Sequence, residues 1–232
     1  MSISSEFMQQ KNIFSILTLF VMAIFFAQAP LPQGFSYAKD KIPDLEIDLR
    51  YAKKNNFVGQ KIDGYTTEKA ILSTKTAEAL FAAQQEFGRM GLGLKLFDGY
   101  RPQRAVDHFV RWAKIPSDTL MKAQFYPNIP KSELFKKHYI STHSGHSRGS
   151  SIDVTLIDLN TCEELDMGSP YDFFGKISNL DYQDLNAKQR SNRDLIQRIM
   201  IKYGFRPYAQ EWWHFTLNNE PFPKTYFDFV VE

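Results

Sequence analysis

Residues 144–156 read SGHSRGSSIDVTL, a loop with two glycines that runs directly into a short strand. Side chains alternate along an extended chain, so Ile152 and Val154 lie on one face of this strand and Asp153 lies on the other. We expect the apolar face to meet the core and Asp153 to face away from it. The segment therefore presents a carboxylate on a strand, shortly after a loop histidine, His146.

The helix and strand signals on both sides of this segment follow no regular βαβ repeat. The sequence predicts helices that begin at Ser73 or Thr74, at Pro102 and at a capping box formed by Ser191 with Asp194, and strands at residues 92–96, 150–156 and 211–217. Helices grouped between short strands are typical of α+β proteins. We therefore predict a single α+β domain with a mainly antiparallel sheet and helices packed around it.

The composition indicates a chain with its own core and a balanced charge. Of 232 residues, 43% are hydrophobic, and 28 Lys and Arg against 26 Asp and Glu leave a net charge of +2. Nucleic acids and anionic membranes attract proteins with a basic surplus, which this chain lacks, so we predict a small-molecule partner and no nucleic acid. The single cysteine, Cys162, excludes an intramolecular disulfide, so packing or a bound ion must supply stability.

The N-terminal residues have the pattern of an export signal. Lys11 precedes an apolar run over residues 13–27, which has the length of a signal-peptide core and is too short to span a bilayer comfortably. Small residues offer cleavage sites after Ala29 and after Ala38. Because Pro30 directly follows Ala29 and hinders processing there, the sequence favours cleavage near Ala38.

This pattern predicts a signal peptide over residues 1–38 and a domain over residues 39–232. The processed protein is then secreted or periplasmic in a bacterium and has no stable membrane anchor. The alternatives are an uncleaved anchor or a buried helix over the apolar run, and a natural start at Met8.

Three residues combine into a candidate metal site. His146 and Asp153 can be brought together by a turn between loop and strand, and His214 near the end of the chain is the third candidate. Zn²⁺ accepts imidazole nitrogen together with carboxylate oxygen, and a catalytic zinc site has three protein ligands and one open position. We therefore predict one Zn²⁺ per chain. His143 is an alternative ligand that the spacing does not exclude. The alternative role for each histidine is that of an ordinary core or surface residue.

Glu211 lies close before His214 and is the candidate general base, the role that glutamate has in other zinc peptidases. In a regular strand, residues 211 and 214 point to opposite faces. If both serve one site, a bulge or a turn must redirect one of the two side chains. The sequence therefore predicts an irregularity between Glu211 and His214.

Together these motifs resemble the zinc D-alanyl-D-alanine dipeptidases, the family that includes the vancomycin-resistance dipeptidase. The resemblance covers about residues 45–232 and rests on the pattern S-x-H-x-x-G-x-x-x-D at 144–153 and on EWWH at 211–214, with support from residues 49–52, 56–57, 98–102, 126–129, 167–172 and 226–229. Zinc carboxypeptidases and hedgehog-like domains share the histidine and aspartate elements. The paired tryptophans and the Met-Gly-Ser…Asp segment are typical of the dipeptidases.

The resemblance implies hydrolysis of the dipeptide D-Ala-D-Ala to two D-alanines, in peptidoglycan turnover or salvage. The roles that it implies are zinc ligands for His146, Asp153 and His214, general base for Glu211, oxyanion stabiliser for Arg101, and partners of the substrate ammonium for Asp172, Ser144 and Tyr51. A guanidinium is permanently charged and rigid, which independently suits a group that stabilises an oxyanion.

Two other functions are compatible with these motifs. A D-alanyl-D-alanine carboxypeptidase acting on peptidoglycan stem peptides would need an open groove in place of Asp172. A non-catalytic zinc-stabilised binding domain would need neither Glu211 nor Arg101, because a structural zinc site is usually closed by four protein ligands. The presence of both residues favours an enzyme.

Overall fold

The computed structural model describes residues 30–232. The predicted apolar run and the cleavage site after Ala29 lie outside these residues. The helices are α1 (Ala38–Lys41), α2 (Thr74–Gly88), α3 (Gln103–Ala113), α4 (Lys122–Phe125) and α5 (Ala187–Lys202). The strands are β1 (Phe35–Tyr37), β2 (Glu46–Ile47), β3 (Ile71–Ser73), β4 (Leu92–Asp98), β5 (Ser151–Asp158), β6 (Phe205–Tyr208) and β7 (Glu211–Leu217). Within residues 30–232, no helix combines the length and the apolar character needed to cross a membrane.

A five-stranded sheet in the order β2-β4-β5-β7-β6 forms the centre of the domain. The pairing of β2 with β4 is parallel, and the other three pairings are antiparallel. β1 and β3 form a separate two-stranded antiparallel sheet. The predicted α+β class with a mainly antiparallel sheet is therefore confirmed.

Strand β5 lies in the middle of this sheet and is buried on both faces. Ile152 and Val154 are fully buried on one face, and Asp153 on the other face is only 2% exposed. The predicted alternation is correct, and Asp153 lines a cavity rather than the protein surface. In the register of the sheet, Asp153 is opposite Asp98 on β4 and His214 on β7.

The helix starts agree with the sequence in two cases and differ in one. Ser73 caps α2 by accepting a hydrogen bond from the Thr76 amide, and α3 begins directly after Pro102. The predicted capping box of Ser191 with Asp194 is wrong, because both residues lie inside α5. The capping box is formed instead by Asn186 and Gln189, so the cap lies at residue 186 and not at residue 191.

Strand β1 lies before Lys39, the predicted start of the domain. β1 pairs with β3, and Ala38 is fully buried, with its amide donating to the Ala70 carbonyl at 2.8 Å. The Phe35 ring contacts four other rings, those of Tyr100, Phe222, Phe227 and Phe229. Residues before Lys39 are therefore part of the packed structure, and processing near Ala38 stays a prediction.

Candidate active site

The eight residues singled out in the sequence line one cavity of about 240 Å³. This volume lies just below the range that is usual for ligand pockets, which is about 300–1,000 Å³. The cavity opens beside the sheet at the level of Asp153, and the eight residues are Tyr51, Arg101, Ser144, His146, Asp153, Asp172, Glu211 and His214. The chain thus brings together positions from both halves of the sequence around a space suited to a small ligand.

The candidate metal ligands come from neighbouring elements of the sheet. His146 lies on a 3₁₀ turn, Gly145–Arg148, that precedes β5, and Asp153 and His214 are paired across β5 and β7. The Asp153 Oδ1 atom lies 3.4 Å from His146 Nε2 and 3.0 Å from His214 Nδ1. The two imidazole nitrogens are 3.1 Å apart. Three donor atoms therefore converge on one point, as a metal ion requires.

Contacts outside this group orient its donor atoms. His146 Nδ1 lies 2.8 Å from the Gly99 carbonyl and donates to it, so the Nε2 lone pair faces the other ligands. Burial lowers the pKa of His146, which favours the neutral, metal-binding form. Tyr171 donates its hydroxyl to Asp153 Oδ2 at 3.1 Å and leaves Oδ1 for the site. These residues fit a divalent metal ion that accepts nitrogen and oxygen ligands.

The alternative ligand His143 also lines the cavity but is not part of the converging group. Its Nδ1 atom lies 3.2 Å from the Thr142 hydroxyl, and its ring packs edge-on against Tyr226. The structure therefore favours His146 over His143 as the histidine that joins Asp153 and His214.

A bulge on β7 brings Glu211 to the same site as His214. Tyr208 pairs with Glu211, and the next pair of the ladder joins Pro207 to Phe215, so residues 212–214 bulge out of the register. The predicted irregularity is confirmed, and Glu211 Oε2 lies 3.7 Å from His214 Nδ1. Burial raises the pKa of Glu211 to about 7. A carboxyl group that titrates near neutral pH is suited to accept and return a proton.

Arg101 follows β4 and is held in place from two sides. Its Nε atom donates to Asp98 Oδ2 at 2.8 Å, and its Nη2 atom lies 3.5 Å from Asp153 Oδ2. The guanidinium carbon lies 4.8 Å from the centre of the Tyr51 ring. A half-buried cation is thus fixed beside the metal-ligand group, where it can act on an oxygen atom that gains negative charge.

Asp172 forms a separate acidic position in the cavity. Its backbone has a φ of 60°, which is unusual for a residue with a side chain. Its carboxylate accepts a hydrogen bond from the Tyr51 hydroxyl at 3.0 Å, and burial raises its pKa well above the usual range. Asp153 and Glu211 add to this rise. A cationic ligand group would relieve the cost of ionising Asp172.

Ser144 lies at the start of the turn that carries His146. Its hydroxyl oxygen accepts a hydrogen bond from the His146 amide at 3.2 Å, and its side chain also lines the cavity. The structure thus shows a local role for Ser144 in shaping the turn, in addition to its place in the cavity wall.

The sequence profile of peptidase family M15, described as D-ala-D-ala dipeptidase, matches residues 33–232. The chain belongs to this family. The resemblance read from the sequence is thereby confirmed, and the chain is a peptidase of a metal-dependent family. The match also begins before Lys39, in agreement with the position of β1 in the fold.

Relatives of similar length support the same membership. A D-alanyl-D-alanine dipeptidase of Streptomyces coelicolor is 42% identical over 197 residues, which cover 85% of this chain and 98% of that protein. One of Enterococcus faecalis is 42% identical over 201 residues, 87% of this chain and 100% of that protein. One of Escherichia coli is 32% identical over 175 residues, 75% of this chain and 80% of that protein.

Asp98 and Tyr171, for which the sequence predicted no role, contact the site directly. Asp98 is fully buried, accepts from the Tyr65 hydroxyl at 2.6 Å and holds Arg101. Tyr171 holds the metal-ligand candidate Asp153. Their positions in the sequence could have pointed to both residues. Asp98 starts the segment that ends in Arg101 and Pro102, and Tyr171 directly precedes Asp172.

Proposed function

We propose that this protein hydrolyses D-Ala-D-Ala to two D-alanines, with one Zn²⁺ bound by His146, Asp153 and His214. The observation that carries the proposal is the meeting, in one small cavity, of a metal-ligand group, a half-buried glutamate and a half-buried arginine. The relatives with 42% identity are named D-alanyl-D-alanine dipeptidases and support the substrate.

The side chains that line the cavity have different roles in the reaction. When bound, zinc would polarise the scissile carbonyl and lower the pKa of a water molecule. Glu211 takes the proton from the attacking water and returns it to the leaving amine, for which its pKa of about 7 is suited. Arg101, fixed by Asp98, donates to the carbonyl oxygen as its negative charge grows.

Asp172 and Tyr51 bind the free amino group of the dipeptide in this mechanism, and Ser144 lines the same cavity. Pairing with an ammonium group stabilises the charged form of Asp172, which burial alone disfavours. A substrate with a blocked amino group leaves this carboxyl group buried without its partner. The site therefore selects for a dipeptide over a longer or acylated peptide.

This selection gives a direct test of the substrate. We expect kcat/KM for D-Ala-D-Ala to exceed that for its N-acetylated form by about a hundredfold or more, because the analogue leaves buried polar groups unpaired. Steady-state hydrolysis of both compounds, followed by release of D-alanine, measures the ratio. Equal rates would contradict the role of Asp172 and would favour a carboxypeptidase that acts on peptidoglycan stem peptides.

We further propose that the protein is exported by means of the apolar run at residues 13–27 and acts outside the bacterial cytoplasm, on D-Ala-D-Ala released by peptidoglycan turnover. Cleavage near Ala38 would detach β1 from β3 and remove the Phe35 ring from its aromatic contacts. We therefore expect the exported protein to begin upstream of Phe35. Mass spectrometry of its N-terminal peptide tests this, and a fully active protein that begins at Lys39 would contradict it.

A further inference from the structure

Arg193 on α5 is a buried cation outside the cavity. Its side chain is 2% exposed, and its guanidinium donates three hydrogen bonds to main-chain carbonyls. Nε donates to Met167 at 2.7 Å, Nη2 to Ile177 at 2.7 Å and Nη1 to Asn179 at 3.0 Å. One side chain thus fixes both ends of the segment from Met167 to Asn179.

This segment carries Asp172, the proposed partner of the substrate ammonium. Further bonds inside it hold its shape: the Ser169 and Ser178 hydroxyl groups are 3.0 Å apart, and Ser178 donates to the Phe173 carbonyl at 2.6 Å. Asp172 itself has a φ of 60°. A backbone of this kind persists only where the surrounding structure determines it strongly, and Arg193 supplies part of that structure.

Arg193 and the segment that it fixes also contact β7, the strand that carries Glu211 and His214. Trp212 on β7 donates its indole N–H to the Ser169 hydroxyl at 3.0 Å, and its ring centre lies 6.0 Å from the Arg193 guanidinium carbon. Trp212 directly follows Glu211. The position of the Asp172 segment is therefore tied to the position of the proposed general base and of His214.

The presence of a charged arginine at this buried position requires an explanation, because burial disfavours the charged form of a side chain. Burial, together with Arg190, lowers the pKa of Arg193 to about 10. A guanidinium offers several donors in one rigid plane, whereas a lysine ammonium is a single flexible point of charge. Only the planar group can satisfy carbonyls from residues 167, 177 and 179 together. The planar arrangement of its donors therefore explains why an arginine occupies this position.

We propose that Arg193 is a positioning residue that sets the distance between Asp172 and the metal site and thereby the selection for a free amino terminus. This inference rests on the proposed dipeptidase function, which supplies the ammonium group that Asp172 binds. Arg193 acts through the segment and contacts neither substrate nor metal ligands.

The test compares Arg193→Lys with Arg190→Lys, a matched change on the exposed side of the same helix. We expect Arg193→Lys to keep its metal content and to raise KM for D-Ala-D-Ala about tenfold with a small change in kcat, since the ammonium contact is equal in the ground and transition states. The preference for D-Ala-D-Ala over its N-acetylated form should fall by about the same factor. Arg190→Lys should leave both quantities unchanged.

A lower melting temperature for Arg193→Lys with unchanged KM and unchanged substrate preference would overturn the proposal, since a merely structural role gives that result. If Arg193→Lys does not fold, Ser169→Ala removes the bond to Trp212 and should shift KM and preference in the same direction by a smaller factor. Unchanged values in Ser169→Ala would likewise count against the proposal.

Hydrogen exchange separates this inference from the proposed function. Amides of residues 168–178 should exchange faster in Arg193→Lys than in the wild-type protein and in Arg190→Lys, without any substrate present. If the wild-type enzyme cleaves neither compound, the proposed function fails, and exchange alone decides the anchoring role. Equal exchange in all three proteins would overturn it.

Discussion

Glu211→Gln is expected to lower kcat for D-Ala-D-Ala by about a thousandfold, within the range of ~10²–10⁴ that general acid–base catalysis contributes. The amide nearly preserves the size of the side chain but cannot take a proton from the attacking water. The carboxyl group lies beside His214 without being part of the metal-ligand group, so zinc content should remain one per chain. Steady-state kinetics together with metal analysis of the same sample test both statements.

Glu86→Gln is a matched control for this change. Glu86 lies on α2, bonded to Lys202 and to Tyr203, and is not among the residues that line the cavity. We expect it to leave kcat unaltered. Undiminished turnover in Glu211→Gln with zinc bound would show that Glu211 is not the base.

Removal of the metal is the second change with a very large expected effect. A chelator should abolish hydrolysis, and added Zn²⁺ should restore it, because His146, Asp153 and His214 then regain the group that polarises the carbonyl. His214→Ala should lose both zinc and activity. His108→Ala is its control, since His108 contacts Asp63 and does not line the cavity.

A binding measurement accompanies this experiment. An ion that binds only the folded protein stabilises it by about 4 kcal/mol when its free concentration is a thousand times its Kd. The melting temperature of the wild-type protein should therefore rise on addition of Zn²⁺, and that of His214→Ala should not. Purified active protein without stoichiometric metal would contradict the assignment of the site.

The parts of the site that sequence predicted are those set by local chemistry. The metal-ligand types, the strand alternation at Asp153 and the irregularity between Glu211 and His214 follow from rules that act over a few residues. Their meeting in space depends on the register in which β5 pairs with β7, which the sequence alone does not specify. The resemblance to a family supplied that long-range information.

The parts that sequence missed depend on contacts between distant segments. In the sequence, Arg193 is indistinguishable from an ordinary cation on a helix. The carbonyls of residues 167, 177 and 179 surround it only in the folded chain. The start of α5 was misplaced because two polar pairs, Ser191 with Asp194 and Asn186 with Gln189, have the same spacing. The packing of residues 35–38 was likewise not visible in the sequence, because Ala38 suits both a processing site and a buried position.

The position of β1 has a consequence for the order in which the chain can fold. The Phe35 ring packs against Phe227 and Phe229, and the Tyr37 hydroxyl donates to the carbonyl of Glu232, 195 positions further along the chain. Contacts of such high sequence separation form slowly and require both partners to be present. Strand β1 therefore cannot complete its packing until residues 227–232 have been synthesised. Before residues 222–229 have been synthesised, the Phe35 ring has only Tyr100 among its four aromatic partners, which leaves part of the ring open to chaperones.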